Sequence, residues 1–271
     1  MSTSVSLSFT RQYESEVHME YQRMGSKLRN TVRTKNNIKG ESTTFQKIGT
    51  GVATTKTRHG NVPTMNLDHT PITCTLSDHY AADDVDKLDE LKLQHDERKA
   101  IVQSGAFALG RQTDQLLIDQ AVTTTTIEAS AGVGFTKAKA LSVLETLGNN
   151  DVPDDGNRFA FVGWKQWTEL LDIPEFKDRD FVGDDKLPWK GVQAKIWLGT
   201  LWVPHSGLTK VGSDRQCLWY HKSALGHAIG EDITSDIWWN GEKQMHRITN
   251  TMSMGSCLID ANGVVRIDCQ E

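Results

Sequence analysis

The stretch from Gln94 to Val122, QHDERKAIVQSGAFALGRQTDQLLIDQAV, constrains this chain more than any other. It contains no proline, two well-separated glycines (Gly105 and Gly110) and many strong helix formers. Its apolar positions recur at helical spacing through Ile101, Ser104 and Gly105, Ala108, Leu109, Gln112 and Leu116. Asp96 and Glu97 place negative charge in the first turn, where the helix dipole favours it. Thr123–Thr126 end the pattern, because β-branched residues propagate a helix poorly. The pattern predicts one helix of about 29 residues, roughly 43 Å long at about 1.5 Å per residue. A mean globular helix has about 11 to 12 residues. The small residues Ala100, Ser104, Gly105 and Ala108 would let other backbone approach closely.

With 271 residues there is room for one large domain or two interleaved ones. No run approaches the roughly 18 to 20 apolar residues of a membrane-spanning helix. The opening MSTSVSLSFTRQYESE has no basic start followed by an apolar block, so no secretory signal is expected. Cys74, Cys217, Cys257 and Cys269 are far apart and form no CxxC pair. They read as buried thiols in a reducing compartment rather than a disulfide framework or zinc site, with two bridges as the alternative. The net charge of −5 is unevenly spread: residues 1–60 carry ten Lys/Arg and four acids, a balance of +6, which leaves −11 for the rest. A basic front and an acidic body can attract each other between copies. Contact with phosphate is a secondary reading, since +6 over sixty residues is weak for a dedicated nucleic-acid binder.

Before the long helix, residues 11–33 read as an amphipathic helix. Tyr13, Val17, Tyr21, Met24, Leu28 and Val32 form one stripe, which must dock on the chain's own body or on a neighbouring copy. Residues 34–71 are rich in Thr, Gly, Lys and Asn and poor in large apolar side chains. Strand-like pieces at Thr43–Ile48, Val52–Thr57 and Val62–Leu67 alternate with turn signals at Gly49–Gly51 and His59–Asn61. This predicts a long two-stranded arm, stabilised by whatever it lies on. Ile72, Cys74 and Leu76 alternate with polar residues as in a half-buried strand, and Asp83–Leu93 is an acidic lead-in with a helical turn.

After the long helix, residues 123–215 predict a compact α/β section. Thr136 caps a helix through Leu147, with Leu141, Leu144 and Leu147 facing inward and Gly148 just past its end. Arg158–Val162 reads as a buried strand, Trp164–Leu171 as a short helix, 172–191 as a charged loop and Ala194–Val203 as strands around Gly199. Residues 216–271 return to strands, with turns at Asn240–Gly241 and Asn262–Gly263.

No catalytic constellation emerges. GxSxG, HExxH, a P-loop and a GxGxxG after a strand are all absent, and the nine histidines are scattered. Asp154 and Asp155 sit in a turn where solvated acids are the rule, and Trp197, Trp202, Trp238 and Trp239 read as core or interface rather than a ligand platform. No catalytic, cofactor-binding or metal-ligating residue is assigned, and no cofactor is expected.

The order of parts resembles the Hong Kong 97-type major capsid protein of tailed bacteriophages over essentially the whole chain. Ala106–Leu109, Gly110–Asp114 and Leu116–Ile118 resemble the spine-helix pattern of that family. Asn149–Phe176 resembles its Val-Pro turn leading to a strand and a Leu-rich helix, and Met254–Cys269 resembles its closing strands. The resemblance implies an α+β fold with an N-terminal arm (1–40), an extended β-hairpin loop (41–76), a peripheral domain with the spine helix (77–122 and 216–271) and an inserted axial α/β domain (123–215). It implies a structural, non-enzymatic subunit of the virion, assembled in the bacterial host cytoplasm. Such a subunit self-associates as pentamers and hexamers into an icosahedral head around double-stranded DNA, touching the DNA weakly and non-specifically. Tyr13, Val17, Tyr21, Arg29, Arg33, Lys47, Lys56 and Arg58 would lie at subunit interfaces. A separate scaffolding protein, a portal and a decoration protein are expected partners, and no membrane is. A long helical leader of the fused-scaffold kind is not seen, and nothing identifies crosslinking chemistry at Lys47 or Lys56. The alternatives are a tail-tube or decoration protein and an α/β hydrolase.

Overall fold

A computed structural model of the chain describes residues 22–90, 97–177 and 194–271. In order, the elements are β1 (Arg33–Lys35), β2 (Ser42–Ile48), β3 (His69–Thr75), β4 (Ser77–Asp86), α1 (Lys87–Glu90), α2 (Glu97–Val122), β5 (Ile127–Glu128), α3 (Lys137–Asn149), β6 (Arg158–Val162), α4 (Trp164–Leu171), α5 (Pro174–Lys177), β7 (Lys195–Trp197), β8 (Thr200–Pro204), β9 (Lys210–Val211), β10 (Asp214–His221), β11 (Leu225–Asn240), β12 (Met245–Leu258) and β13 (Val264–Gln270). This is the mixed α+β content expected. Helix α2 has 26 residues, which makes it about 39 Å long at about 1.5 Å per residue. The chain forms two compact units, and α2, β11 and β12 each contribute residues to both.

The smaller unit takes the described part of Met1–Gly25, Asp78–Arg111 and Asp232–Met252. There β11, β12 and β4 lie side by side in that order. Asn250 on β12 is fully buried; its amide donates to Ala81 O at 3.5 Å, and its carbonyl oxygen accepts from the Ser235 hydroxyl. A Cβ on Gly105 of α2 would come within 2.0 Å of the Asn250 amide nitrogen, so this helical glycine is required by close packing.

The larger unit comprises Ser26–Ser77, Gln112–Glu231 and Ser253–Glu271. Its seven-stranded sheet has the order β5-β13-β10-β6-β8-β7, with β9 on β10. Strands β6 and β8 run parallel, while β10 pairs antiparallel with both β13 and β6. Every residue of β6 and β8 is buried, which is why both read as continuous apolar runs rather than alternating ones. Trp202 is fully buried, with ring centroids of Trp219 at 4.8 Å, Phe135 at 5.6 Å and Trp197 at 5.8 Å. Thr136 caps α3 as expected, its side chain accepting from Lys139 N.

Several expectations need correction. Residues 22–33 do not continue an α-helix: Gly25 has φ +63°, and only a 3-10 turn forms, at Arg29–Thr31. Leu28 and Val32 are buried while Met24 is 72% exposed, so these three do not share one helical face; the expected helix over 11–21 lies outside the described residues. Among the described residues the expected middle strands Val52–Thr57 and Val62–Leu67 form no ladder, and every residue from 51 to 70 except Gly60 is exposed. Leu147 and Leu144 pack on the core as expected, but Leu141 is 45% exposed and α3 turns Ala140 and Val143 inward instead; the helix runs past Gly148 to Asn149. In α2 the buried positions are Leu109, Gly110, Thr113, Asp114, Leu117, Ile118 and Ala121, so that Thr113 and Leu117 stand one residue on from the expected Gln112 and Leu116.

Candidate functional site

The extended loop is built on the β2–β3 ladder, which runs in register from Ser42 opposite Thr75 to Ile48 opposite His69. Its last rung is Gly49 N–H to Asp68 O at 2.8 Å. The base of the loop has its own small core, in which Phe45 and Cys74 pack with Ala228, Cys257 and Ile259. Cations close over this core: Lys35 Nζ lies 4.7 Å and the Arg33 guanidinium 5.7 Å from the Phe45 ring centroid. Lys47 Nζ ties the ladder to Asp260 at 2.8 Å.

Beyond the last rung the character changes. Val52 (78% exposed), Val62 (74%) and Met65 (53%) lie open, and the only formal charges between Gly49 and Leu67 are Lys56 and Arg58. A hairpin tip that is apolar, basic and without its own core has the composition of a surface made to be covered.

The chain enters the larger unit through a second feature, which sequence reasoning did not find. Asp114 on α2 is fully buried and accepts from Ser26 Oγ at 2.5 Å, Lys27 N–H at 3.1 Å, Leu28 N–H at 3.1 Å and His205 Nε2 at 3.0 Å. His205 is also fully buried, and its Nδ1 accepts Gly207 N–H at 3.1 Å, which leaves Nε2 as the protonated nitrogen facing Asp114. Burial pushes the Asp114 carboxyl up, but the bonds from His205 and Ser26 outweigh it and hold the group below its ordinary value. Because Asp114 takes the Lys27 and Leu28 amides, those donors do not serve helical carbonyls, which is why the expected helix breaks here. In the smaller unit Arg111, three residues earlier, donates to Gln22 Oε1 at 2.6 Å and Arg23 O at 3.3 Å. The Arg–x–x–Asp spacing of α2 was the only sequence signal for this role.

Of the residues expected at interfaces, Tyr13, Val17 and Tyr21 lie outside the described residues. Arg29 is half-buried in the 3-10 turn, and Arg33 and Lys47 are drawn to the base of the loop, while Lys56 and Arg58 stand exposed near its tip. Trp197 and Trp202 are core, whereas Trp238 and Trp239 are 49% and 42% exposed.

Among the described residues, a second His–Asp pair with a serine lies at His221. His221 Nε2 lies 3.0 Å from Asp155, and Nδ1 lies 2.7 Å from Ser223 Oγ and 3.3 Å from Ser223 N. The Ser223 amide competes for the lone pair that a general base would need, so the group works as a cap on the Lys222–Ala224 turn. Asn157 and then His221 hold the Asp155 carboxyl well below its ordinary value. Among the described residues no three His, Cys, Asp or Glu side chains are grouped to hold a metal, and no helix is long and apolar enough to cross a membrane.

The family model described as phage capsid protein matches residues 5–271. The chain belongs to the phage capsid protein family. No curated protein matches its sequence. Solved structures share the fold at low identity. The chain is similar to a structure from Mycobacterium phage Che8, with a TM-score of 0.73, 19% identity and 96% of each chain covered. It is similar to the capsid of Cyanophage P-SCSP1u, with a TM-score of 0.76, 16% identity, 100% of this chain and 96% of that one covered. It is also similar to the capsid of Ralstonia phage GP4, with a TM-score of 0.73, 10% identity, 96% and 95% covered. The Hong Kong 97-type architecture implied by the sequence resemblance is therefore the fold, and the capsid protein is a structural component of the virion shell.

Proposed function

We propose that this major capsid protein assembles as pentamers and hexamers into an icosahedral head around double-stranded DNA, with the arm and extended loop lying across neighbouring copies. The observation that carries this reading is the uncovered loop tip. Val52, Val62 and Met65 expose apolar surface beside Lys56 and Arg58 on a hairpin with no core beyond Phe45. A tip of this composition gains stability by lying on an acidic neighbour, and the rest of the chain outside residues 1–60 carries −11. Tyr13, Val17, Tyr21, Arg29, Arg33, Lys47, Lys56 and Arg58 form the proposed interface set, with Lys47 and Arg33 acting by fixing the base of the loop.

The proposed division is the arm at 1–40, the loop at 41–76, the peripheral domain at 77–122 and 216–271, and the axial domain at 123–215. Strand β13, which this division counts with the peripheral domain, pairs with β10 and β5 in the seven-stranded sheet. The role is structural rather than enzymatic, contact with DNA is weak and non-specific, and assembly takes place in the host cytoplasm. A separate scaffolding protein, a portal and a decoration protein are the proposed partners. Sedimentation and negative-stain microscopy of the purified protein test the reading. Closed shells, or rings of five or six subunits, are expected. A strictly monomeric protein whose residues 40–70 resist protease would overturn it.

A further inference from the structure

All four cysteines are free thiols and all are buried. Cys74 on β3 and Cys257 on β12 share the small core at the base of the loop, and their thiols are hydrogen-bonded to each other. Cys217 on β10 and Cys269 on β13 are likewise in hydrogen-bond contact. The four residues therefore stand as two facing pairs.

The pairs differ in geometry. On the antiparallel β10–β13 ladder Cys217 stands opposite Ile267, and Cys269 opposite Arg215. That pair is diagonal, and diagonal β-carbons are farther apart than the roughly 3.5 to 4.5 Å a disulfide spans. A ladder in register over seven residue pairs resists the shift that would close the gap. Cys74 and Cys257 lie on strands that do not pair with each other, so no ladder sets their separation. Their sulfurs bond to the backbone of Ala228 and Gly226, alternate residues of β11. Glycines keep the space around them clear: a Cβ on Gly226 would lie 2.9 Å from Cys257 Sγ, and one on Gly255 would lie 3.3 Å from Cys74 Sγ. The bond from Cys257 holds the Cys74 thiol below its ordinary value, and the same contact pushes Cys257 up. The two thiols therefore titrate as a pair, in which loss of a proton from one is met by its retention on the other.

We propose that Cys74 and Cys257 form a latent disulfide site that staples the base of the extended loop to β12 under oxidising conditions, while Cys217 and Cys269 stay reduced. The oxidant is a low-molecular-weight disulfide such as oxidised glutathione. The Cys74 thiolate attacks one glutathione sulfur, forms a mixed disulfide and expels a glutathione thiolate. The Cys257 sulfur, giving up its proton, then attacks the Cys74 sulfur and expels the second glutathione thiolate. Two protein thiols lose two electrons, one glutathione disulfide gains them, and the two thiol protons end on the released glutathiones. The physiological setting rests on the shell reading: a subunit folded in a reducing cytoplasm later meets an oxidising exterior.

The test is thiol titration in denaturant and disulfide mapping by mass spectrometry, before and after incubation of the full chain with oxidised glutathione. A parallel sample refolds from the reduced state in a glutathione redox buffer, which removes any limit on access to the buried sulfurs. The expected result is a fall from four thiols to two, with one mapped Cys74–Cys257 bond and slower hydrogen exchange at 42–48 and 69–75. In Cys74→Ser no intramolecular bond forms, while Cys217→Ser still gives the Cys74–Cys257 bond. Retention of all four thiols in both samples overturns the proposal, and so does a mapped Cys217–Cys269 bond. Thiol counts do not depend on assembly, so this outcome is independent of whether shells form.

Discussion

Asp114→Asn is the substitution that most directly tests how the chain is anchored to its spine helix. Asparagine keeps the volume, and its carbonyl oxygen can still accept Ser26 Oγ and Leu28 N–H. Its amino group then faces His205 Nε2–H, which is 3.0 Å from the native carboxylate, while Lys27 N–H keeps the other oxygen at 3.1 Å. Donors would oppose donors in a fully buried site. His205 cannot escape by changing tautomer, since Nδ1 accepts the Gly207 amide. Two stranded buried donors cost about 1 to 3 kcal/mol each. Relief from burying a charge offsets part of this, leaving a net loss of about 2 to 4 kcal/mol. Urea unfolding of the unassembled subunit measures it, and limited proteolysis should show new cleavage around residues 22–28. The sign of the pH dependence also follows. The native carboxyl is held below its ordinary value of 3.8, so its stabilisation is present above that pH and is lost as pH falls through the folded-state value. The variant should therefore show a shallower acid limb. A stability change under about 0.5 kcal/mol with an unchanged proteolysis pattern would refute the anchoring role.

Lys139→Met should cost about 2 to 4 kcal/mol in the same unfolding assay. It strands the carbonyls of Ser130, Val133 and Asp268, which Nζ holds at 2.9, 3.1 and 2.9 Å. Gly105→Ala should cost about 1 to 3 kcal/mol through the clash with Asn250, and Asn250→Ala in the same chain should recover part of the loss, as a double-mutant cycle would show. Trp202→Ala, at the centre of the aromatic core, should cost about 3 to 5 kcal/mol by thermal or urea unfolding. Replacing residues 50–67 with a short Asn-Gly turn should leave the unfolding midpoint within about 0.5 kcal/mol of the parent while abolishing shells by microscopy; normal shells would remove the loop tip from the assembly surface.

Elements whose stability is local were legible in the residues. Helix α4 at Trp164–Leu171 and strand β6 at Arg158–Val162 occur where the pattern puts them, because their ends are set by nearby glycine and polar residues. The Gly199 turn likewise lies where expected, with Leu198 and Gly199 both at positive φ. The failures share one physical cause. Leu28 and Val32 kept a helical spacing, yet Asp114, 86 residues further along from Leu28, took the amides a helix would have used. Val52–Thr57 had strand propensity, but a strand needs a surface to lie on, and the described residues supply none there.

The sequence by itself determined that a long uninterrupted helix would organise the chain, that an arm poor in core residues would precede it, and that the front would be basic and the body acidic. These depend on propensity, periodicity and composition, which need no partner. Only the tertiary structure decided which residues of α2 face inward, that Asp114 rather than an apolar stripe fastens the chain at residues 26–28, and that four cysteines distant in sequence meet as two pairs. Each of those depends on contacts between segments far apart along the chain, and residue spacing carries no record of which distant segment will arrive.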